Sequence, residues 1–126
     1  MIVDPKSAVY GVSGAMLVEF DLTPARAPPY RCQEPDAAAI PLSELRWPHN
    51  RALDPARLRR ILGAIASRTP LPAVPVYREP NAATAVVLDG AHRLAIALAL
   101  GYSSVPCKLL SLQESKDGYR YPEGQR

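Results

Sequence analysis

Two apolar stripes with helical spacing dominate the second half of the chain, and short apolar runs separate them. Leu58, Ile61, Leu62 and Ile65 recur at i, i+3, i+4 and i+7, which puts them on one helix face. Asp54 supplies an N-cap, Pro55 suits the first helical position, and the helix is predicted to stop near Ser67, ahead of Pro70. Leu94, Ala95, Leu98 and Ala99 give a second helix over roughly 91–100, closed by Gly101. Around these lie strand candidates. Residues 40–45 alternate, with Ile40, Leu42 and Leu45 core-facing and Pro41 fitting an edge or a strand start. Residues 73–78 read as a strand in which Pro75 implies an edge or a bulge. Residues 84–88 are a continuous apolar run, the pattern of a buried strand, and 105–110 form the last strand. Nearer the N-terminus, 16–22 alternate loosely and are also read as a strand, just after Gly11 and Gly14. The predicted order from residue 40 is strand, helix, strand, strand, helix, strand. The fold class is therefore α/β (α+β), a compact domain with a small mixed sheet packed by two or more helices.

Composition narrows the setting. The 126 residues suit a single domain, and 48% hydrophobic content provides a core. Fourteen prolines punctuate the chain, six of them between Pro24 and Pro48, so 21–39 is expected to be irregular. Residues 112–126 are polar, with balanced charges, and are expected to form a loose tail. Cys32 and Cys107 are distant in sequence and form no CxxC pair, and two histidines are too few for a zinc site. Residues 1–6 lack the apolar stretch of a signal peptide, and no run reaches the length of a membrane span. A cytoplasmic protein without a membrane partner is expected.

The net charge of +3 allows an anionic ligand without requiring nucleic acid. The chemistry concentrates where the 84–88 strand meets the second helix, at Asp89-Gly90-Ala91-His92-Arg93. The first amides of a helix lack intrahelical partners and sit at the positive end of its dipole. Gly90 permits close approach, and Arg93 can clamp a phosphate with paired bonds. Cations in a first turn oppose the dipole, which marks His92 and Arg93 as candidates for anion binding. Asp89 either caps the helix or holds Mg²⁺ bound to a nucleotide. His92 is either a ligand-facing group or a satisfied, half-buried imidazole. A second cluster, 46–51, carries His49, Asn50 and Arg51 in position to reach the same ligand from the other side. Residues 46–68 hold six arginines against the single acid Asp54. Of these, Arg57, Arg59 and Arg60 are read as a solvated helix face. Trp47 is read as core or interface rather than a base-stacking platform, and Cys107 as a buried thiol.

Residues 87–97 (VLDGAHRLAIA), Leu100-Gly101-Tyr102 and Val105-Pro106 together resemble the ParB/sulfiredoxin superfamily, with its box of paired Gly and His/Arg followed by a helix. Residues 40–45, Asn50-Arg51 and 66–71 match its upstream segments. The resemblance covers 38–111; it leaves 1–37 as an N-terminal extension and 112–126 as a tail. It implies a nucleotide-binding fold, with ATP or another nucleotide and Mg²⁺ as cofactors. Gly90, Ala91, His92, Arg93, Asn50 and Arg51 would contact the nucleotide, Asp89 and His92 would be catalytic, and Asp89 would ligate the metal. Ala91 stands where sulfiredoxins carry cysteine, which argues against sulfinic acid repair. The chain leaves no room for the helix-turn-helix domain of partition proteins. Free serine kinases of the superfamily match best at Asp89-Gly90 and His92-Arg93.

Two functions follow from this resemblance. One is an ATP-dependent phosphotransferase or nucleotide hydrolase with a small-molecule phosphoryl acceptor. The alternative is a non-enzymatic ParB-like module that senses nucleotide or associates with DNA, motivated by the arginines of 46–68. Nucleic acid is the less favoured partner, and a homodimer is compatible with either.

Overall fold

The computed structural model describes residues 8, 9, 11–47 and 53–111. A five-stranded mixed sheet carries one helix directly on its face, and that helix is covered in turn by two others. In chain order the elements are β1 (Ala8–Val9), β2 (Val12–Ser13), α1 (Gly14–Glu19), β3 (Ala38–Pro41), a 3₁₀ turn (Leu42–Glu44), β4 (Leu45–Arg46), α2 (Pro55–Ala66), β5 (Val74–Tyr77), β6 (Ala85–Val87), α3 (Ala91–Leu100) and β7 (Ser104–Leu109). The sheet order is β3-β7-β5-β6-β4. β3 runs antiparallel to β7 and β5 antiparallel to β6, whereas β5–β7 and β4–β6 are parallel. β1 and β2 form a separate hairpin.

α3 is apolar nearly all round because it lies between two cores. Leu94 and Ala97 face the sheet, among Ile40, Leu45, Val74, Val76, Ala85, Val87, Val105 and Cys107. Ala95, Ile96, Ala99 and Leu100 turn the other way, against Leu58, Leu62 and Ile65 of α2 and Met16 and Leu17 of α1. α3 ends at Gly101 in the left-handed conformation, as its sequence requires. α2 begins as expected, with the Asp54 carboxylate accepting from the Ala56 N–H at 3.0 Å.

Four features depart from the sequence reading. Residues 16–22 do not form a strand. Ser13 accepts from the Met16 N–H at 3.1 Å and starts helix α1, which buries Met16 and Leu17. The 40–45 run breaks at the 3₁₀ turn into edge strand β3 and the short β4. β6 is buried on one face only: Ala85 and Val87 point inward while Val86 is 45% exposed. Pro75 lies in the central strand rather than at an edge. Its carbonyl accepts from the Leu88 N–H at 3.0 Å, and the return bond is the one a proline cannot make. The β5–β6 ladder therefore ends there, one residue before Asp89, and the chain is free to turn.

Candidate functional site

The loops that matter leave one edge of the sheet. β4 and β6 run parallel, so the β4–α2 connection and the β6–α3 turn emerge from the same end, beside the start of antiparallel β5. In open α/β sheets this strand-end crevice is where ligands gather. Here the edge opens into a cavity of about 220 Å³.

Gly90 shapes the inner wall. It is the N-cap of α3, with φ +124°, a conformation that side chains other than hydrogen rarely adopt. A Cβ there would meet Arg93 Nη2 at 3.2 Å and Val74 Cγ1 at 3.3 Å. The N-cap position itself is taken by Gly90, one residue after Asp89. Asp89 instead lines the cavity with Gly90, His92 and Arg93. Ala91 begins α3 and is not among the lining residues. Asn50 and Arg51 lie outside the described residues, as do His49 and the tail from residue 112.

Arg93 is only 7% exposed. A buried guanidinium needs dense hydrogen bonding, and Nη1 donates to the Pro72 carbonyl and, at 3.3 Å, to Tyr30 Oη. The Tyr30 hydroxyl in turn donates to the Pro72 carbonyl at 2.6 Å. Burial raises the Tyr30 pKa, which keeps the phenol protonated for that bond. Arg93 is thus locked at the cavity wall rather than free to sweep through solvent.

His92 joins the two helices. Its Nε2 accepts from the backbone N–H of Asp54, the N-cap of α2, at 2.9 Å. That bond places the ring proton on Nδ1. The bond occupies the acceptor nitrogen of His92. The bond also brings the N-terminal ends of α2 and α3 together at the cavity. Each carries arginine within its first two turns: Arg57 and Arg60 of α2 line the cavity opposite Arg93. Arg57 Nε is buried and without a partner among the described residues.

The α2 arginines were read from sequence as a solvated face. That holds for Arg59, which pairs with Glu19 at 3.0 Å with both side chains about half exposed, and for Arg60, which is exposed although it lines the cavity; Arg57 is half-buried there. The missed signal was a second stripe, Arg57, Arg60, Ile61 and Ala64, displaced from the core stripe and shared with it only at Ile61. The far wall was also missed. Residues 28–34 run as a strap along 68–73, with Cys32 bridging Leu71 in parallel. Gln33 N–H donates to the Leu71 carbonyl and Leu71 N–H to the Arg31 carbonyl. Glu34 accepts from the Ala73 N–H at 2.8 Å and from the Cys32 thiol at 3.3 Å. Burial works to raise the Glu34 pKa, but these bonds outweigh it and hold the carboxyl below its usual range. Tyr102, with a pKa pushed up to about 12 by burial, anchors the strap through the Pro28 carbonyl. The strap brings Gln33 to the cavity beside Thr69, Pro70 and Leu71.

Two other expectations, for Trp47 and Cys107, hold. Trp47 packs against the sheet core, and Cys107 is buried with its pKa raised to about 11 by desolvation. Among the described residues no group of His, Cys, Asp or Glu could hold a metal alone, and no helix is long and apolar enough to cross a membrane.

No protein-family profile matches the chain, and no curated protein matches it in sequence. Among solved structures it is similar to sulfiredoxin from Arabidopsis thaliana, with 21% identity and a TM-score of 0.53 over 66% of this chain and 94% of that one. At that identity the likeness establishes the fold: this is a sulfiredoxin-type α+β domain.

Proposed function

We propose that this sulfiredoxin-type domain binds a nucleotide through its phosphates, held between the N-terminal ends of α2 and α3. One observation carries the reading: two helix N-termini, tied by the His92–Asp54 bond, converge with Arg57, Arg60 and Arg93 on one cavity. Helix dipoles and guanidinium groups of like sign crowd together only at a cost, and an anion relieves it. Arg57 and Arg60 reach the phosphates from α2, while Arg93 and the amides after Gly90 meet them from α3. Asn50 and Arg51, in the sequence between β4 and α2, are proposed to add further contacts to the nucleotide.

The metal is treated as the nucleotide's companion. Asp89 is the single carboxylate among the described lining residues, which suits Mg²⁺, an ion commonly held by one or two carboxylates plus phosphate oxygens. Bound there, it would neutralise phosphate charge beside Asp89. Asp89 also favours a second reading, phosphoryl transfer or hydrolysis, because it is the carboxylate placed to accept a proton from an attacking hydroxyl. The proton-transfer part of that reading falls to Asp89, with His92 positioning the two helix ends through its bond to Asp54. A DNA-binding reading has less support, since the arginines of α2 diverge: Arg59 pairs with Glu19 while Arg57 and Arg60 line the cavity.

Titration calorimetry with ATP, ADP and CTP, with and without Mg²⁺, tests the proposal. Binding is expected at low salt, and R57Q/R60Q should weaken it at least about tenfold, roughly 1.4 kcal/mol. An unchanged affinity in that variant, or no heat with any nucleotide, refutes the site. A product assay then separates the readings: D89N should bind yet not turn over if transfer occurs.

A further inference from the structure

Positive charge does not stop at the cavity but continues over its strap wall. Thr69 and Gln33 line the cavity, and each has an exposed arginine beside it in the chain: Arg68 precedes Thr69, and Arg31 lies two residues before Gln33. The strap brings these two arginines together across 37 residues of chain, with Arg31 Nη1 donating to the Arg68 carbonyl at 3.2 Å. Arg60 is exposed on the α2 wall. Across the cavity lining, the strap and residue 68, five arginines thus face two carboxylates, Asp89 and Glu34. Glu34 is turned inward, to the Ala73 N–H and the Cys32 thiol.

Arg68 holds its place against its own backbone preference. It sits at φ +61°, the left-handed conformation that glycine takes readily and other residues seldom. The end of α2 imposes it. Arg68 N–H donates to the Ile65 carbonyl at 3.1 Å and Thr69 N–H to the Ala64 carbonyl at 2.8 Å, the paired bonds that close a helix on a left-handed residue. Glycine is the common occupant of that position. The negative end of α2 accommodates a cation there, and the strap adds a second, Arg31. Departures from local preference of this kind cluster at functional surfaces.

We infer that the Arg31–Arg68 rim is a docking surface for an acidic polypeptide segment, whose carboxylates pair with the two exposed guanidinium groups beside the cavity. Guanidinium forks match carboxylates with two parallel bonds, which is how arginine clusters read acidic motifs. Charge complementarity argues for a polyanion, and the surrounding side chains argue for polypeptide over nucleic acid. A single nucleic-acid strand is held by stacking its bases on aromatic rings. No aromatic ring lines the cavity among the described residues, and Tyr30 of the strap has its hydroxyl turned inward to Pro72. The rim is distinct from the phosphate grip proposed above, since neither Arg31 nor Arg68 lines the cavity.

Fluorescence anisotropy at low salt with a rhodamine-labelled peptide of alternating Glu and Gly provides the test, with the Lys–Gly peptide and an oligothymidylate of the same length as comparisons. The acidic peptide should bind saturably and lose affinity as salt rises, and the basic one should not bind. R31Q/R68G should weaken acidic-peptide binding about threefold to tenfold and leave tripolyphosphate affinity, read by calorimetry, unchanged. R68G alone should melt at or above wild type, because glycine suits the left-handed position, and still bind the peptide more weakly. Equal binding of the acidic and basic peptides, or an R31Q/R68G protein that binds the acidic peptide like wild type, overturns the inference. Tighter binding of the oligothymidylate than of the acidic peptide overturns the polypeptide partner. A variant that loses peptide and tripolyphosphate together places the peptide in the cavity and overturns the rim.

Discussion

Replacing Gly90 by alanine couples the backbone of the site to its key cation. At φ +124° a residue with a Cβ is strained, at about 1–3 kcal/mol. The added methyl also lands 3.3 Å from Val74 Cγ1 and 3.2 Å from Arg93 Nη2. Val74 is fully buried in the sheet core and has little room to yield. Arg93 can move, but only by loosening its bonds to Pro72 and Tyr30, each worth about 1 kcal/mol. The sum is about 2–4 kcal/mol, a drop in melting temperature of roughly 6–20 °C for a domain of this size. Differential scanning calorimetry would read it, and titration with tripolyphosphate should show weaker binding because Arg93 is displaced. G63A serves as the control of opposite sign. Gly63 is an ordinary helical residue whose Cβ would make normal contact with Phe20 at 3.5 Å, so alanine should stabilise by about 0.5–1 kcal/mol. A G90A protein that melts within about 2 °C of wild type, or one that binds phosphate unchanged, would show that the turn is not built as described.

Two further consequences can be measured. The Glu34 pKa is lowered in the folded state, so its ionised form stabilises the protein. That contribution is complete above the ordinary value of 4.5 and is lost as pH falls below it through the depressed folded value. Wild type should therefore out-melt E34Q at neutral pH, with the gap closing under acid; a gap independent of pH would exclude the carboxylate as the strap's anchor. H92A should lose the bond to Asp54 at a cost of about 0.5–1.5 kcal/mol and weaken phosphate binding by loosening the two helix ends. H92Q, whose amide oxygen reaches the position of Nε2 and can accept from the same N–H, should recover part of both, and equal behaviour of the two variants would remove the positioning role.

The parts of this structure that were legible in sequence are those set by local chemistry. Asp54-Pro55 and the 58/61/62/65 stripe fix α2, and Gly101 fixes the end of α3, whatever surrounds them. The turn at 89–93 was legible for the same reason, since a glycine between a strand and a cationic first turn carries its meaning in its own backbone. The failures share a different cause. Residues 16–22 suit either period, and the Ser13 cap that decides for helix lies upstream of the apolar run. Pro75 was read as the mark of an edge or a bulge, but the sheet tolerates it centrally because its missing donor falls where the β6 ladder stops. The strap at 28–34 is held by bonds to the carbonyls of Arg68, Pro70, Leu71 and Pro72. Loop-to-loop bonds of this kind leave no periodicity, so neither Gln33 nor Tyr30 could be assigned to the site beforehand. Arg57 and Arg60 followed a periodicity that was visible, yet only the placement of α3 shows which polar face of α2 looks into a cavity.

The phosphate site itself is best tested by following backbone amides in solution by NMR during titration with ATP and Mg²⁺. Saturable shifts are expected first at Gly90, Ala91, His92 and Arg93 and at the start of α2, with the Arg57 and Arg93 side-chain signals slowing their exchange. Shifts confined to other surfaces, or none at millimolar ligand, would contradict anion capture between the two helix ends.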